Sequence, residues 1–93
     1  VFIVALGDAA KTRAFELQQQ LREKDLYAEI DLLGRSMKGQ MKSANKLNAD
    51  YTVIIGENEL AAGEAQVRNM ASKEQVSVPL DGIVAYMETH KKG

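Results

Sequence analysis

The sequence predicts an α/β domain: a five-stranded mixed sheet of order 2-1-3-4-5, flanked by three main helices. Three observations predict it. Two runs, Val1–Leu6 and Tyr51–Ile55, are apolar almost throughout, as strands buried on both faces are, and each is stopped by a glycine, Gly7 and Gly56. Segments with helical apolar spacing alternate with the strands, which implies right-handed parallel crossovers. Two alternating segments, Ala65–Met70 and Glu74–Val78, then read as a hairpin that adds an antiparallel strand. The two apolar strands belong in the middle of the sheet. With 93 residues, 45% of them hydrophobic, the chain can bury the core of one domain spanning residues 1–93.

Each element has its own signature. After Val1–Leu6 and Gly7, Asp8 is the expected N-cap, and Ala10, Ala14, Leu17 and Leu21 form the apolar face of the first helix. Arg22 and Lys24 stand near its end, where they complement the dipole. Tyr27–Leu33 alternates Ala28, Ile30 and Leu32 against Glu29 and Asp31, the pattern of a half-buried edge strand. Gly34-Arg35-Ser36 is a turn with Ser36 as N-cap. Met37, Met41, Ala44 and Leu47 are the expected core face of the second helix, with Lys38, Lys42 and Lys46 on the opposite side. Glu57–Ala62 reads as a short helical turn with Gly63 as its left-handed cap. The hairpin turns around Ala71-Ser72-Lys73 and ends at Pro79. Leu80, Val84 and Met87 mark a last helix, with Asp81 at its start and Lys91-Lys92 at its end. The methionines at 37, 41, 70 and 87 are expected as core filler.

Composition removes whole classes of chemistry. The chain has no cysteine, so disulfides, thiolate metal sites and cysteine nucleophiles are excluded together, which suits a reducing, cytoplasmic setting. No apolar run approaches the ~20 residues of a membrane span. The one histidine, His90, stands in the last turn, so no Ser-His pair can form around a second one, and a solvated helix end is its plain reading. Gly7–Thr12 lacks both the glycine before the lysine and the full spacing of a phosphate loop. Glu57 and Glu59 have no nucleophile or ligand set beside them, so no acid/base role is assigned. Aromatic residues are 5% of the chain with no tryptophan, which leaves base stacking poorly supplied. No catalytic residue, metal site or cofactor site is expected in this domain. The chain opens on an apolar strand without methionine, and is expected to be a piece of a longer polypeptide.

What remains is charge placed at one location. Between Gly34 and Asn48 stand Arg35, Lys38, Lys42 and Lys46 without an acid, so the rest of the chain holds a net −5 against the total of −1. Such asymmetry marks an anion-binding face or, more plainly, a solvated helix face. Open α/β sheets bind ligands outside the carboxyl ends of their strands, where the strand order reverses. Here that point lies between strands 1 and 3. Gly7-Asp8, Gly34-Arg35-Ser36 and Gly56-Glu57-Asn58-Glu59 should meet there, which places Arg35, Ser36, Lys38, Glu57 and Glu59 around a polar site. Ordinary loop ends are the alternative.

The stretch from Leu33 to Ala49, with its Lys-x-Gln-Met-Lys-x-Ala-x-Lys helix from Lys38 to Lys46, resembles the C-terminal anticodon-binding domain of histidyl-tRNA synthetases. So do Tyr51–Leu60, Gly63 and Val67-Arg68, and the resemblance covers the whole chain. It implies the same mixed sheet and a domain that grips the anticodon stem-loop of a tRNA. It also implies a parent ligase that attaches histidine to tRNA with ATP and magnesium, in a catalytic domain of the same chain and as a homodimer. The RNA-binding residues it implies are Arg35, Ser36, Lys38, Gln40 and Lys42 from the second-helix segment, Glu57 and Glu59 from the acidic turn, and Arg68 from the following strand. The lysines would meet phosphates, and Arg35, Gln40, Glu59 and Arg68 would read base edges. For Arg68 the bland alternative is a charge pair across the sheet. A non-catalytic regulatory or dimerisation module of a synthetase-like paralogue is the competing function.

Overall fold

The computed structural model describes residues 1–30, 37–47 and 49–90. The elements are β1 (Phe2–Ala5), α1 (Asp8–Glu23), β2 (Glu29–Ile30), α2 (Met37–Lys46), β3 (Tyr51–Ile55), α3 (Glu57–Ala62), β4 (Glu64–Asn69), β5 (Gln75–Pro79), a 3-10 turn at Leu80–Gly82, and α4 (Ile83–His90). The sheet order is β2-β1-β3-β4-β5, as expected. β1 pairs in parallel with β2 and β3, while β3–β4 and β4–β5 are antiparallel. Of the predicted edge strand Tyr27–Leu33, Glu29–Ile30 is strand, and residues 31–33 lie outside the described residues.

Strand alternation sends two sets of side chains to opposite faces. Ile3, Ala5, Val53, Ile55, Ala65, Val67 and Val78 join Ala10, Ala14, Leu17 and Leu21 of α1 and Ile83 and Met87 of α4 in the main core. On the other face Phe2, Val4 and Ile54 pack with Ala44 of α2, and Leu6, Met41, Ala49 and Met70 close the edges of this smaller cluster.

Several local details differ from the sequence reading. Asp8 is the first residue of α1 rather than its cap. Gly7 is the N-cap, with no side-chain cap bond, at φ 104° and ψ 162°, a conformation essentially restricted to glycine. Leu47, expected in the core, is 55% exposed. α2 ends at Lys46, and the Ala49 amide returns to the Ala44 carbonyl at 3.1 Å, so the small Ala49 takes the place against the second cluster. Asp81 precedes α4 within the 3-10 turn and pairs with Arg13 of α1 at 3.6 Å. The hairpin is closed by Asn69, whose Oδ1 accepts from the amides of Ala71 (2.9 Å) and Ser72 (3.1 Å), and Lys73 takes a left-handed φ of 67°. Gly63 ends α3 at φ 73°, as expected of a left-handed cap. Met87 is fully buried, and Met41 and Met70 fill the margin of the second cluster.

Candidate functional site

The carboxyl ends of β1 and β3 and the starts of α2 and α3 form one hydrogen-bonded rim. The Ala5 amide donates to Gln40 Oε1 and Gln40 Nε2 donates to the Ala5 carbonyl, both at 3.1 Å. These backbone groups lie beyond Ile3↔Ile30, the last described pair of β1 with β2, so the glutamine amide continues the ladder there. Next, the Leu6 amide donates to the Ile55 carbonyl at 2.9 Å, and the Gly56 amide donates to Glu59 Oε1 at 3.0 Å. A Cβ added at Gly7 would stand 3.9 Å from Glu57 Oε1, which places that carboxylate over the β1 turn. The first turn of α2 and the acidic turn of α3 thus share an edge of the sheet, as the switch-point argument requires.

The residues expected at the site divide by exposure. Lys38 and Lys42 are exposed on α2, as is Lys46 further along. Glu57 is exposed, and Glu59 is half-buried with one oxygen committed to Gly56. Gln40 is fully buried, with both ends of its amide held by Ala5. The base-reading role expected of it does not fit that placement, because its donor and acceptor face the backbone of β1. Arg35 and Ser36, together with the Ser36 cap, lie outside the described residues.

Arg68 stands on the face of the sheet that carries α2. It alternates with the buried Val67 of the main core and pairs in register with Thr52 on β3 and Gln75 on β5. Neither partner is a carboxylate, and among the described residues Arg68 forms no ion pair. Its Nε is buried without a hydrogen-bond partner among the described residues. A buried unmet donor costs about 1–3 kcal/mol unless a water or another acceptor meets it. Thr52 occupies its own hydroxyl on Met70 Sδ at 3.0 Å. Arg68 is set back from the rim: its partner Thr52 is four residues before Gly56, about 13 Å along an extended strand.

The sequence reading missed the neighbours of Arg68. Gln66 and Ser77, in register on β4 and β5, are joined by Gln66 Nε2 donating to Ser77 Oγ at 3.0 Å, and Gln75 Nε2 donates to Gln66 Oε1 at 3.4 Å. The signal was available in the alternation of the hairpin, whose polar positions 66, 68, 75 and 77 share one face.

The opposite end of the sheet carries other features. A cleft of about 210 Å³ is lined by Val1, Leu26, Tyr51, Met87 and His90 among others. His90 is exposed, its Nδ1 is 2.7 Å from the Tyr86 carbonyl oxygen, and its ring stacks on Tyr86 at 4.0 Å. It stands at the end of α4, on a cleft whose lining also includes Asp25 and Asp50. Among the described residues no group of three or more His, Asp or Glu side chains is placed to hold a metal ion. No helix among them is long and apolar enough to cross a membrane.

Comparison with known proteins bears on the family and the fold. The chain is 47% identical over 92 residues to a histidine–tRNA ligase of Halalkalibacterium halodurans, covering 99% of the chain and 22% of the ligase. It therefore spans about a fifth of the length of that relative. The crystal structure of apo histidyl-tRNA synthetase from S. aureus superposes with a TM-score of 0.87 at 41% identity, over 91% of this chain and 25% of that one. The histidyl-tRNA synthetase of Nostoc sp. PCC 7120 superposes with a TM-score of 0.88 at 26% identity, over 98% of this chain and 22% of that one. The family model for the anticodon binding domain matches residues 1–90, so the chain belongs to the anticodon-binding-domain family.

Proposed function

We propose that this chain is the part of a histidine–tRNA ligase that holds the anticodon stem-loop of histidine tRNA. The observation that carries the reading is the shared face. Exposed Lys38 and Lys42 stand on α2, half-buried Arg68 stands on the same side of the sheet with a donor that meets no partner among the described residues, and the Glu57 and Glu59 turn stands at the rim where β1 and β3 end. A lysine row supplies sequence-independent attraction to phosphates. Arg68 donates to base acceptors such as those of guanine, and the free oxygens of Glu57 and Glu59 accept from base amino groups. Arg35 and Ser36 complete the set in this reading, whereas Gln40 holds the rim together from inside. Unpaired loop bases expose the edges that such hydrogen-bonding side chains need.

In this reading the full-length protein is a cytoplasmic homodimer. Its catalytic domain, outside this chain, uses ATP and magnesium to join histidine to the tRNA, and this domain supplies grip and discrimination. The test is binding of the full-length protein to the histidine tRNA anticodon stem-loop across a salt series. We expect log affinity to fall with log salt with a slope of about −2 to −3 for three or four phosphate contacts. A flat salt response, or equal affinity for an unrelated stem-loop, contradicts the reading.

A further inference from the structure

We propose that Gln75 is a specificity-determining residue that works as a pair with Arg68 to select guanine among the unpaired bases, with Gln66 as its positioning residue. The inference rests on the RNA-binding reading above and adds to it a residue, a base and a pairing of roles.

A guanidinium offers only N–H donors and no acceptor. An arginine can read guanine through O6 and N7 alone, and an acceptor beside it adds a contact to the N1–H and amino donors next to O6, which sharpens the choice. The carboxylates of Glu57 and Glu59 are not close, since the acidic turn begins past Gly56, about 13 Å along the sheet from the level of Arg68. On that level the two register partners are Thr52 and Gln75. Thr52 is fully buried and its hydroxyl is turned to Met70. Gln75 is exposed, on the outer strand, and shares the face of Arg68.

The amide of Gln75 is held but not consumed. Its Nε2 donates one long bond, 3.4 Å, to Gln66 Oε1. Gln66 is fixed in turn by Ser77, through Gln66 Nε2 to Ser77 Oγ at 3.0 Å and the hydroxyl's long 3.4 Å contact to Gln66 Oε1. Anchoring Nε2 on Gln66 orients the amide and leaves Gln75 Oε1 as an acceptor in the row of Arg68. A base laid on this row gives its O6 to the guanidinium and an edge N–H to Gln75 Oε1. Adenine, with an amino group where guanine has O6, presents a donor to a donor. The network is also the cheap explanation of itself: polar side chains on paired strands stabilise a hairpin by a few tenths of a kcal/mol to about 1 kcal/mol each. The experiment separates the two.

Binding is measured by fluorescence anisotropy with the full-length protein, the histidine tRNA anticodon stem-loop, and loops in which each guanine in turn is changed to adenine. Gln75→Val keeps a strand-forming side chain and removes the amide. The expected result is roughly tenfold weaker binding to the natural loop and loss of discrimination at one guanine only. Gln75→Glu keeps an acceptor in place and should keep the preference for guanine at that position even where the added charge lowers affinity. Gln66→Val should reduce the same discrimination in part, without touching other positions. If Gln75→Val binds every loop as the unsubstituted protein does, or weakens all of them equally, the residue only stitches the hairpin and the proposal fails while the RNA-binding reading stands. If the unsubstituted protein does not bind the stem-loop, both fall together.

Discussion

The two faces of the sheet are built to different ends. One is closed by α1 and α4 over a continuous apolar layer that includes Ile3, Leu17, Leu21, Val53, Ile55, Ile83 and Met87. Among the described residues the other buries a smaller apolar set, Phe2, Val4, Ile54 and Ala44, together with Gln40 and Thr52, under α2, and its β4–β5 half carries Gln66, Arg68, Gln75 and Ser77. Apolar burial is the dominant favourable term in folding, so stability is concentrated on the closed face. Hydrogen-bonding groups stay available to a ligand where no helix covers them, and the proposed recognition row of Arg68 and Gln75 lies on the other face.

The largest expected effect tests that division directly. Leu17→Ala on the closed face should lower stability by about 2–5 kcal/mol, read as a fall in melting temperature. Below the transition its loop discrimination should match that of the unsubstituted protein. A change in base preference would show that the faces are coupled. Gln40→Leu should cost about 1–3 kcal/mol by chemical denaturation, because it strands a buried amide and carbonyl of Ala5. An RNA-contact role for Gln40 would instead leave stability unchanged and weaken binding.

Gln40 also shows where the sequence was legible and where it was not. Strand order, helix spacing and the convergence at Gly7 and Gly56 followed from apolar periodicity and glycine placement, because burial imposes period 2 or 3.6 on the chain. The face that a polar residue adopts at the end of a helix is set by tertiary contacts. Gln40 therefore read as a base contact until Ala5, distant in sequence, claimed both ends of its amide. Leu47 failed in the opposite sense: its spacing fits the core face, but α2 stops one residue earlier. Asp8 looked like a cap because acids favour that position, yet the φ of 104° required before α1 is open only to glycine, so Gly7 took the cap. The row formed by Arg68 and Gln75 needed the register of β4 on β5, which the hairpin implied only to within a residue or two.

On the open face Arg68→Ala should weaken stem-loop binding by about 1–3 kcal/mol and relax base choice at one position, with the fold intact. Folding stability should not fall, since the substitution removes a buried nitrogen that has no partner among the described residues. Loss of stability equal to the loss of binding would make Arg68 a structural residue and blur the contrast between the faces.

The smallest effect belongs to the lysines, and it differs in kind. Lys42→Gln removes an exposed charge that forms no salt bridge with the described residues, so neither stability nor base preference should move. What should change is the salt dependence: a phosphate contact contributes about 0.7–0.9 to the slope of log affinity against log salt, and its loss should flatten that slope by close to this amount. The same change at Lys46, at the far end of α2 from the rim, should flatten it less if the RNA lies over the first turns of the helix. Equal effects at Lys38, Lys42 and Lys46 would mean that the whole basic row tracks the backbone, and the contact surface would then follow the helix axis rather than the edge where β1 and β3 end.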